Sequence, residues 1–451
     1  MKGKVVKKKA AYGRFRFAGE AGGERLQAGE LVFSSGKNCR ISSGAIGRGV
    51  GVAPFLDEEG EPIQTGLSVV LSTGCYCPAH VDDEEHAVND FCLVTGAGKV
   101  YLYNRAAGAF TRCDNAVFSA ECVCFPVYVK GEATRYALVG RHGVFVVDKQ
   151  GGVSAITTKA TTKVGAFFHG RIFYTDGFSL AYSAPFSFDP TVDDADDKGK
   201  IELGAEGGEI VGIVPLGERL IVVREYGLLA LQAAGAARDF VVEKLPYGGG
   251  RVAFGSVCAV GEKVFFLAEN TVYYLAGNEV KRAIQARPKE LTDAAMLRAS
   301  ACEDDYRLEF TDYDGEIRSM LVGEDGGYYF SFGVGSLNGG SECVGVMKGT
   351  LVRVTEAGEL PSGEEAFVFA GGLEFEKSGE KVIRKIRFLG RGSVEVRVAS
   401  DRGEKVFSLN LDENAARELA LKGKSFDLTL SFSTGACVEK IEFEYDVLGG
   451  K

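Results

Sequence analysis

The 451-residue sequence contains no Trp and only 10 Pro, 4 Met and 4 His. Without Trp, a sugar-binding protein lacks the side chain on which sugars usually stack, although Tyr can substitute. No run of seven or more apolar residues follows the five lysines before position 10, which excludes a standard secretory signal. No stretch approaches the roughly 18 apolar residues that a membrane-spanning helix needs. We therefore expect a soluble protein that is made in a cytoplasm.

Excess positive charge and catalytic motifs are also missing. The chain has 52 Lys and Arg against 62 Asp and Glu, a formal net charge of -10, so it lacks the basic footprint of a protein that wraps nucleic acid. Nucleophile elbows, Walker loops and the H-E-x-x-H pattern do not occur. The sequence therefore predicts a protein that is not an enzyme, with no catalytic, cofactor-binding or metal-ligating residue and no cofactor.

The 11 Cys do not have the spacing of a disulfide framework, and we expect most of them to be buried free thiols. Cys75 and Cys77 are followed by His80 and His86 in a short acidic loop. Thiolate and imidazole are the ligands that zinc prefers, but zinc sites favour two to four residues between paired cysteines. Whether this cluster binds a metal is left open by the sequence.

For a second C-x-C pair, Cys122 and Cys124, the sequence predicts burial in a core. It lies in the apolar run ECVCF at residues 121–125. Side chains two positions apart share one face of a strand. Both thiols are therefore expected to pack in a core.

What the sequence does contain is a high content of Gly and aromatic residues, 61 Gly, 30 Phe and 17 Tyr, in short strand-like runs bounded by turns. The turn glycines Gly170, Gly217 and Gly261 are 47 and 44 residues apart, and Gly349 lies 88 residues further on. The intermediate turn is expected near Asp304. Gly131 and residues 89–90 continue the series backwards. A period of roughly 40 to 50 residues with four short strands is the mark of a β-propeller blade.

This count predicts an all-β chain with six or seven propeller blades between residues 30 and 360. The segment 30–72 is expected to complete the last blade and close the ring, because that blade has few strands of its own. Two stacked β-sandwiches would give the same rhythm of turns and remain the alternative. Residues 1–29 are predicted to be an N-terminal arm.

The composition changes at the polar stretch 359–365, which is typical of a linker. Four later segments alternate apolar and charged residues, as expected for sheets with one buried face: 381–389, 393–398, 425–432 and 438–447. Residues 361–451 are therefore predicted to form a separate, small C-terminal β-sandwich. Within it, residues 412–421 indicate either a short helix or a polar connection.

Three segments carry a resemblance to a known family: FHGRIFYTDG at 168–177, LAYSAPFSFDP at 180–190 and GGEIVGIVPLGERLIVV at 207–223. In this order they resemble tailed-bacteriophage virion proteins with a β-propeller core, such as podophage tail nozzle and hub proteins and packaged-DNA stabilisation proteins. The resemblance covers roughly residues 90 to 450. The Trp usual after the second segment is replaced by an acidic loop whose carboxylates, from Asp193 to Asp197, raise the question of a calcium site.

The resemblance implies a non-enzymatic structural component of a phage virion, at the tail nozzle, the hub or the head-to-tail connector. It implies portal, adaptor or tail proteins as partners, a homo-oligomeric ring and synthesis in the host bacterial cytoplasm. The basic residues Lys2 to Lys9 would fold on a neighbour or make a transient DNA contact in a lumen. Two alternatives remain, a carbohydrate-binding or glycan-active propeller and a cytoplasmic propeller scaffold that binds peptides.

Overall fold

The structure is a computed structural model of the chain. It describes residues 6–17, 29–42, 44–57, 59–73, 92–95, 98–104, 108–113, 118, 120–127, 135–148, 151–186, 198–284, 288–323, 327–335, 343–375, 379–413 and 415–448. The described residues are almost entirely strands and turns, with two short 3-10 helices at Ala237–Asp239 and Lys289–Leu291. None of the described helices is long and apolar enough to cross a membrane.

Forty strands are described. The N-terminal strands are β1 (Val6–Tyr12), β2 (Arg14–Phe17), β3 (Glu30–Phe33), β4 (Ser35–Lys37), β5 (Cys39–Ser42), β6 (Ala45–Arg48) and β7 (Gly51–Pro54). The middle strands are β8 (Val70–Thr73), β9 (Cys92–Thr95), β10 (Val100–Asn104), β11 (Ala109–Arg112), β12 (Cys122–Val127), β13 (Arg135–Gly140), β14 (Gly143–Val147), β15 (Val153–Thr157), β16 (Gly165–Phe168), β17 (Arg171–Thr175), β18 (Ser179–Tyr182), β19 (Gly199–Glu202), β20 (Ile210–Leu216), β21 (Arg219–Arg224), β22 (Gly227–Gln232), β23 (Val241–Leu245), β24 (Cys258–Val260), β25 (Lys263–Ala268), β26 (Thr271–Ala276), β27 (Glu279–Arg282), β28 (Ala295–Cys302), β29 (Asp305–Thr311), β30 (Ile317–Val322), β31 (Tyr328–Phe332), β32 (Val344–Met347) and β33 (Thr350–Thr355). The C-terminal strands are β34 (Phe367–Leu373), β35 (Glu380–Arg391), β36 (Ser393–Ser400), β37 (Gly403–Asn410), β38 (Ala416–Gly423), β39 (Phe426–Phe432) and β40 (Cys437–Leu448).

The middle strands form seven consecutive antiparallel sheets, which we call the repeat sheets. Sheets 1 to 6 each contain four strands in sequence order, from β8–β11 to β28–β31. Sheet 7 contains β32, β33 and, as its third strand, β7 from near the start of the chain. The segment 30–72 therefore supplies one strand, β7, to the last sheet, whereas the strand expected at residues 30–33 pairs with β2 and the strand expected at residues 67–71 gives way to β8 of sheet 1.

The predicted turns occupy equivalent places in the sheets. Gly170, Gly217, Gly261 and Gly349 each lie between the first and second strands of a sheet, and Asp304 occupies that place in sheet 6. Gly170 has φ 78° and Gly217 has φ 56°, a conformation that favours glycine because it has no side chain. Gly131 and residues 89–90 lie outside the described residues.

The repeat sheets contact one another in order. The first strands of sheets 1 to 5 each contact the first strand of the next sheet, and the first strand of sheet 7 contacts that of sheet 1. Sheets 6 and 7 meet at Ser300 and Cys343, whose side-chain oxygen and sulfur are 2.8 Å apart. Apolar residues fill the spaces between neighbouring sheets, for example Phe265 and Tyr306 between sheets 5 and 6. Burial of this apolar surface is the main force that holds the sheets together.

The C-terminal strands form two larger sheets that share one apolar core. One has the order β38-β35-β40-β6-β5 with β1 also paired to β40, and the other has the order β37-β36-β39-β34-β4. In β36 the side chains alternate between exposed and buried, so Val394, Val396 and Val398 enter the core. Residues 412–421 were predicted to form a short helix or a polar connection. Both predictions are wrong from Ala416 onward, because β38 begins there and pairs with β35.

The predicted boundary at residue 30 is wrong. Residues 30–48 do not belong to the repeat sheets, because β4 pairs with β34 and β6 pairs with both β5 and β40. Leu31, Phe33 and Ile46 are buried in the core of the two larger sheets. The strands β1 to β6 and β34 to β40 therefore belong to one unit, and the repeat sheets lie between these two groups in the sequence.

The N-terminal arm is also corrected, because its described part is built into the fold. β1 pairs along seven residues with β40, and β2 pairs in parallel with β3. The lysines of β1 face an acidic strand: Lys9 lies directly opposite Glu444, with its Nζ 3.1 Å from Oε1. Opposite charges across an antiparallel pair stabilise it modestly.

Asn38 joins the two units. Its side-chain nitrogen donates to Glu364 Oε2 and to the carbonyl of Glu365, both at 2.9 Å. Its side-chain oxygen accepts the Phe332 N–H at 3.2 Å, and its own N–H donates to Phe330 O at 3.0 Å. Because Asn38 is fully buried, these bonds fix the position of sheet 6 against the terminal sheets.

Candidate functional site

The antiparallel order of the repeat sheets gives them two distinct ends. The first strand of each sheet begins at one end, which we call the upper end. Since the second strand returns to it, the turn between the second and third strands and the connection from the preceding sheet also lie there. Hydrogen bonds join neighbouring sheets at this end: Ile210 N–H donates to Gly177 O, and Val252 N–H donates to Glu225 O.

A central cavity of roughly 480 Å³ lies between the first strands of the repeat sheets. Sheets 1 to 6 all contribute to its lining. Most of the wall is apolar, as at Val123, Ala166 and Ile213. The charged lining residues are Glu121 and Lys163, which lie just before β12 and β16, and Arg298, which lies in the first half of β28. Charge is thus concentrated where the cavity meets the upper end.

These charged side chains form a connected cluster. Glu121 accepts hydrogen bonds from both Lys163 and Arg298 through its two carboxylate oxygens. Arg298 Nη1 also lies 3.7 Å from Oε1 of Glu309, a fully buried carboxylate. Lys163 Nζ lies 5.9 Å from the ring centre of Phe254. The cluster links sheets 2, 3 and 6 across the cavity mouth.

Arg298 owes its place to an irregularity in β28. The register with β29 shifts between Ala295 and Arg298, so the strand carries a bulge there. Met296, inside the bulge, has φ 51° and is 62% exposed. A left-handed backbone conformation is costly for a residue other than glycine, and bulges commonly redirect side chains at functional sites. The bulge therefore brings a cation to the mouth and an apolar side chain to the surface.

The cluster changes the acidity of Glu121. Burial acts to raise the pKa of this carboxyl, but the charges and hydrogen bonds of Lys163 and Arg298 outweigh burial and hold the pKa below its ordinary value of 4.5. A carboxyl whose pKa is lower in the folded state stabilises the fold above the unfolded pKa, and this contribution is lost as pH falls through the folded pKa.

We expect Glu121→Gln to lower the free energy of unfolding by about 2 kcal/mol at pH 7, because Lys163 and Arg298 would lose their shared anion. The difference from the unmodified protein should shrink as pH falls below 4.5, since Glu121 then becomes neutral as well. Urea titrations between pH 3 and 7 measure it. Glu279→Gln, in an exposed pair with Lys281, serves as the control and should show no such difference. A constant effect of Glu121→Gln across this range would contradict the electrostatic role.

The residues singled out in the sequence have different outcomes. Cys122 and Cys124 are both buried in one apolar cluster between sheets 1 and 2, as predicted, and both contribute to the cavity lining. The cluster of Cys75, Cys77, His80 and His86 lies outside the described residues, as does the loop from 193 to 197. Among the described residues, no group of three or more His, Cys, Asp or Glu side chains is placed to hold a metal ion.

Sequence reasoning missed the mouth cluster. Glu121, Lys163 and Arg298 are up to 177 residues apart, and only the order of the sheets brings them together. A signal was present in β28 and β29, because Arg298, Arg307 and Glu309 interrupt otherwise apolar strands. A charged residue in a buried strand requires a partner.

The upper end also carries most of the exposed apolar surface. Of the thirteen large hydrophobic side chains that are exposed in the described part of the chain, seven lie there: Val69, Phe178, Tyr226, Phe254, Met296, Tyr313 and Ile317. Tyr313 is 87% exposed in the turn of sheet 6. Clustered apolar side chains at a surface commonly mark contacts with other proteins.

No protein-family model and no curated protein matches the chain. Among solved structures, it is similar to PorZ, a surface component of the type-IX secretion system of Porphyromonas gingivalis, with 15% identity over 82% of this chain and 44% of PorZ and a TM-score of 0.39. It is also similar to the extracellular domain of a hybrid two-component system from B. thetaiotaomicron (9% identity, 78% of this chain, 46% of that one, TM-score 0.44). A third is the computationally designed Ika8 protein (8% identity, 85% and 98%, TM-score 0.37). The chain spans less than half the length of the first two.

Proposed function

We propose that the chain is a seven-bladed β-propeller joined to a β-sandwich, and that it is a non-enzymatic structural component of a tailed-phage virion. Its position would be the tail nozzle, the hub or the head-to-tail connector. Three observations support the proposal: the order of contacts among the repeat sheets, the stiff joint between the two units and the exposed apolar residues of the upper end.

The propeller assignment is supported by the contacts of the first strands. They run from sheet to sheet, and the seventh sheet returns to the first. β7 supplies the third strand of sheet 7, so residues from near the start of the chain complete the last sheet. A circular arrangement buries both faces of every sheet, which a single four-stranded sheet cannot achieve.

The joint supports a structural role. Arg40 pairs with Asp305 of sheet 6 at 3.0 Å and also with Glu356, next to sheet 7. Together with the buried Asn38, it ties the terminal sheets to two neighbouring repeat sheets. Multiple buried polar contacts of this kind oppose hinge motion, and a component that transmits load in an assembly requires such a rigid connection.

The clustering of exposed apolar residues at the upper end is the observation that carries the assembly role. We propose that this end contacts either a neighbouring copy in a homo-oligomeric ring or a portal, adaptor or tail protein. A stable contact would bury on the order of 1,200 Å² or more. The proposed transient DNA contact would fall to Lys7 and Lys9, whose side chains are exposed on β1.

Light scattering over a concentration series, with negative-stain images of large species, tests the assembly role. We expect rings or tubes whose mass rises with concentration. The triple variant Tyr226→Ser, Met296→Ser and Tyr313→Ser should stay folded and lose assembly, because all three side chains are exposed at the upper end.

Val406→Ser is the matched control, since Val406 is 52% exposed but belongs to the terminal sheets. It should assemble like the unmodified protein. A strict monomer at every concentration, or equal assembly by the triple variant, would contradict self-assembly through the upper end.

The mouth cluster favours a second candidate, a propeller scaffold that binds peptides at the upper end. Lys163 lies beside the exposed ring of Phe254 and shares Glu121 with Arg298, and a peptide carboxylate could compete with Glu121 for both cations. A peptide array read with the unmodified protein and with Glu121→Gln distinguishes this function. Sequence-specific binding that changes with Glu121→Gln supports the scaffold, and no binding rejects it.

A further inference from the structure

Sheets 6 and 7 meet at an interface, which we call the seam, that contains buried charged residues. In β29, Tyr306, Leu308 and Phe310 point into an apolar cluster shared with sheet 5. The alternate residues Asp305, Arg307 and Glu309 are also buried, with at most 2% exposure. One face of β29 is therefore apolar and the other is a line of buried charge.

Arg307 is the least satisfied member of this line. It is fully buried, and Nη2 donates to Phe332 O at 2.7 Å. Among the described residues, its Nε and Nη1 atoms are buried without a hydrogen-bond partner. A buried guanidinium in this state is costly unless an anion lies near it.

Two thiols lie beside this cation. Cys343, directly before β32, has its sulfur 2.8 Å from Ser300 Oγ. Cys302, at the end of β28, shares a hydrogen bond with Cys343 and lies 3.7 Å from Val354 O. Both are 2% exposed. Both cysteines belong to one buried cluster at the seam, Cys302 from sheet 6 and Cys343 from the segment directly before β32.

Two acidic groups near Arg307 have to be compared, the Glu309 carboxyl and the Cys343 thiol. Glu309 already accepts the N–H groups of Val334 and Gly335, and its nearest cation is Arg298. Burial opposes ionisation of Cys343, but the hydrogen bond with Cys302, the charge of Arg307 and the hydroxyl of Ser300 together lower the pKa of this thiol. The hydrogen bond to Cys343 and burial raise the pKa of Cys302. Cys343 is therefore the more acidic thiol of the pair.

We propose that Cys302 and Cys343 are a redox-active dithiol that closes to a disulfide across the seam when a small peroxide reaches it. The inference is independent of the proposed virion role. Because both sulfurs are buried, the reaction proceeds during brief local opening of the seam, and a small oxidant suits it better than a bulky disulfide.

The chemistry requires only the peroxide as oxidant. The thiolate form of Cys343 attacks one oxygen atom of hydrogen peroxide. The O–O bond breaks, the second oxygen is released as hydroxide, and Cys343 becomes a sulfenic acid. The Cys302 sulfur then attacks the sulfenic sulfur, and its proton leaves with the hydroxyl group as water. The two sulfurs are oxidised by two electrons in total, and the peroxide is reduced to the level of water.

The disulfide would link the first strand of sheet 6 to the segment that begins sheet 7. Sheet 7 is the sheet in which β7 pairs with β33. The bond would therefore tie sheet 6 covalently to the start of sheet 7, next to the sheet that β7 completes, and the chain would unfold more slowly.

Peptide mapping of the full-length protein tests the proposal. The protein is treated with hydrogen peroxide, denatured in acid, alkylated and digested without reductant. We expect a peptide pair joined through Cys302 and Cys343, with the mass of two hydrogen atoms lost, and the unfolding rate should fall roughly tenfold or more. Recovery of both cysteines in alkylated form, or linkage of either to Cys258, would overturn the proposal.

Single variants separate the chemistry from a general effect of oxidation. In Cys302→Ala, Cys343 should accumulate as sulfenic acid that a dimedone probe labels, and peroxide should no longer slow unfolding. Cys39→Ala is the matched control, because Cys39 is a buried thiol in the core of the terminal sheets. It should still form the disulfide. Peptide mapping of the unmodified protein decides the question if the Cys302 variant does not fold.

Discussion

Replacement of Ile221 by Asp is expected to leave the chain insoluble. Ile221 is fully buried in β21, opposite Val214 and Ala230, in the apolar cluster between sheets 4 and 5. A carboxylate there would find no cation and would cost several kcal/mol. Whole domains are stable by only about 5 to 15 kcal/mol, so one such change consumes much of the margin.

Phe265→Asp should have the same outcome at the next interface. The Phe265 ring stacks on Tyr306 with centroids 5.3 Å apart, so its loss removes contacts from sheets 5 and 6 together. The fraction of soluble protein after expression, compared with the unmodified chain, measures both effects. Ile221→Val, which removes one methylene group, is the control and should cost about 1 kcal/mol and remain soluble. Soluble, cooperatively folded Asp variants at both positions would contradict the packing between sheets.

The repeat was predictable because it is local. Each repeat sheet forms mainly from consecutive strands, and its first turn requires a residue such as Gly170 or Gly217 at positive φ. A period in the sequence therefore translates directly into a series of sheets. The same local reasoning predicted that Cys122 and Cys124 pack in a core, because side chains two positions apart on a strand point to the same face of the sheet.

The pairing of the chain ends could not be predicted in this way. β1 and β40 pair residues that are at least 429 positions apart, as with Tyr12 and Ile441 or Lys9 and Glu444. Alternation shows that each strand has a buried face but does not show which partner covers it. The prediction for the residues of β38 was wrong for another reason. Its residues ARELALKG are good helix formers, and pairing with β35 overrides that preference.

The mouth cluster and the seam could not be predicted for the same reason, because the sequence does not show which sheets pack against each other. Glu121, Lys163 and Arg298 come from three sheets, and Cys302 and Cys343 come from two. The alternation of Arg307 and Glu309 in β29 does show that buried charge is present. The identity of its partners depends on which sheets become neighbours, and that is a property of the tertiary structure.

Deletion of residues 361–451 is expected to make the remaining chain aggregate, although the polar linker at 359–365 suggested that the repeat sheets would survive it. The deletion removes β34 and β40, the partners of β4, β6 and β1. Phe15, Leu31 and Phe33 would lose the core that now buries them. Exposed strand edges and apolar side chains together promote aggregation.

Removal of both chain ends should restore a folded protein. The fragment 49–360 keeps β7, its pairing with β33 and the backbone bridge between Val52 and Glu359. It should be soluble and unfold cooperatively, with lower stability than the full chain because the bonds of Asn38 and Arg40 to sheet 6 are gone. Circular dichroism melts and size-exclusion profiles of the two fragments compare them directly. If 1–360 were as soluble and cooperative as 49–360, the N-terminal strands would not depend on the C-terminal sheets. Failure of both fragments would mean that the repeat sheets need the terminal unit in order to fold.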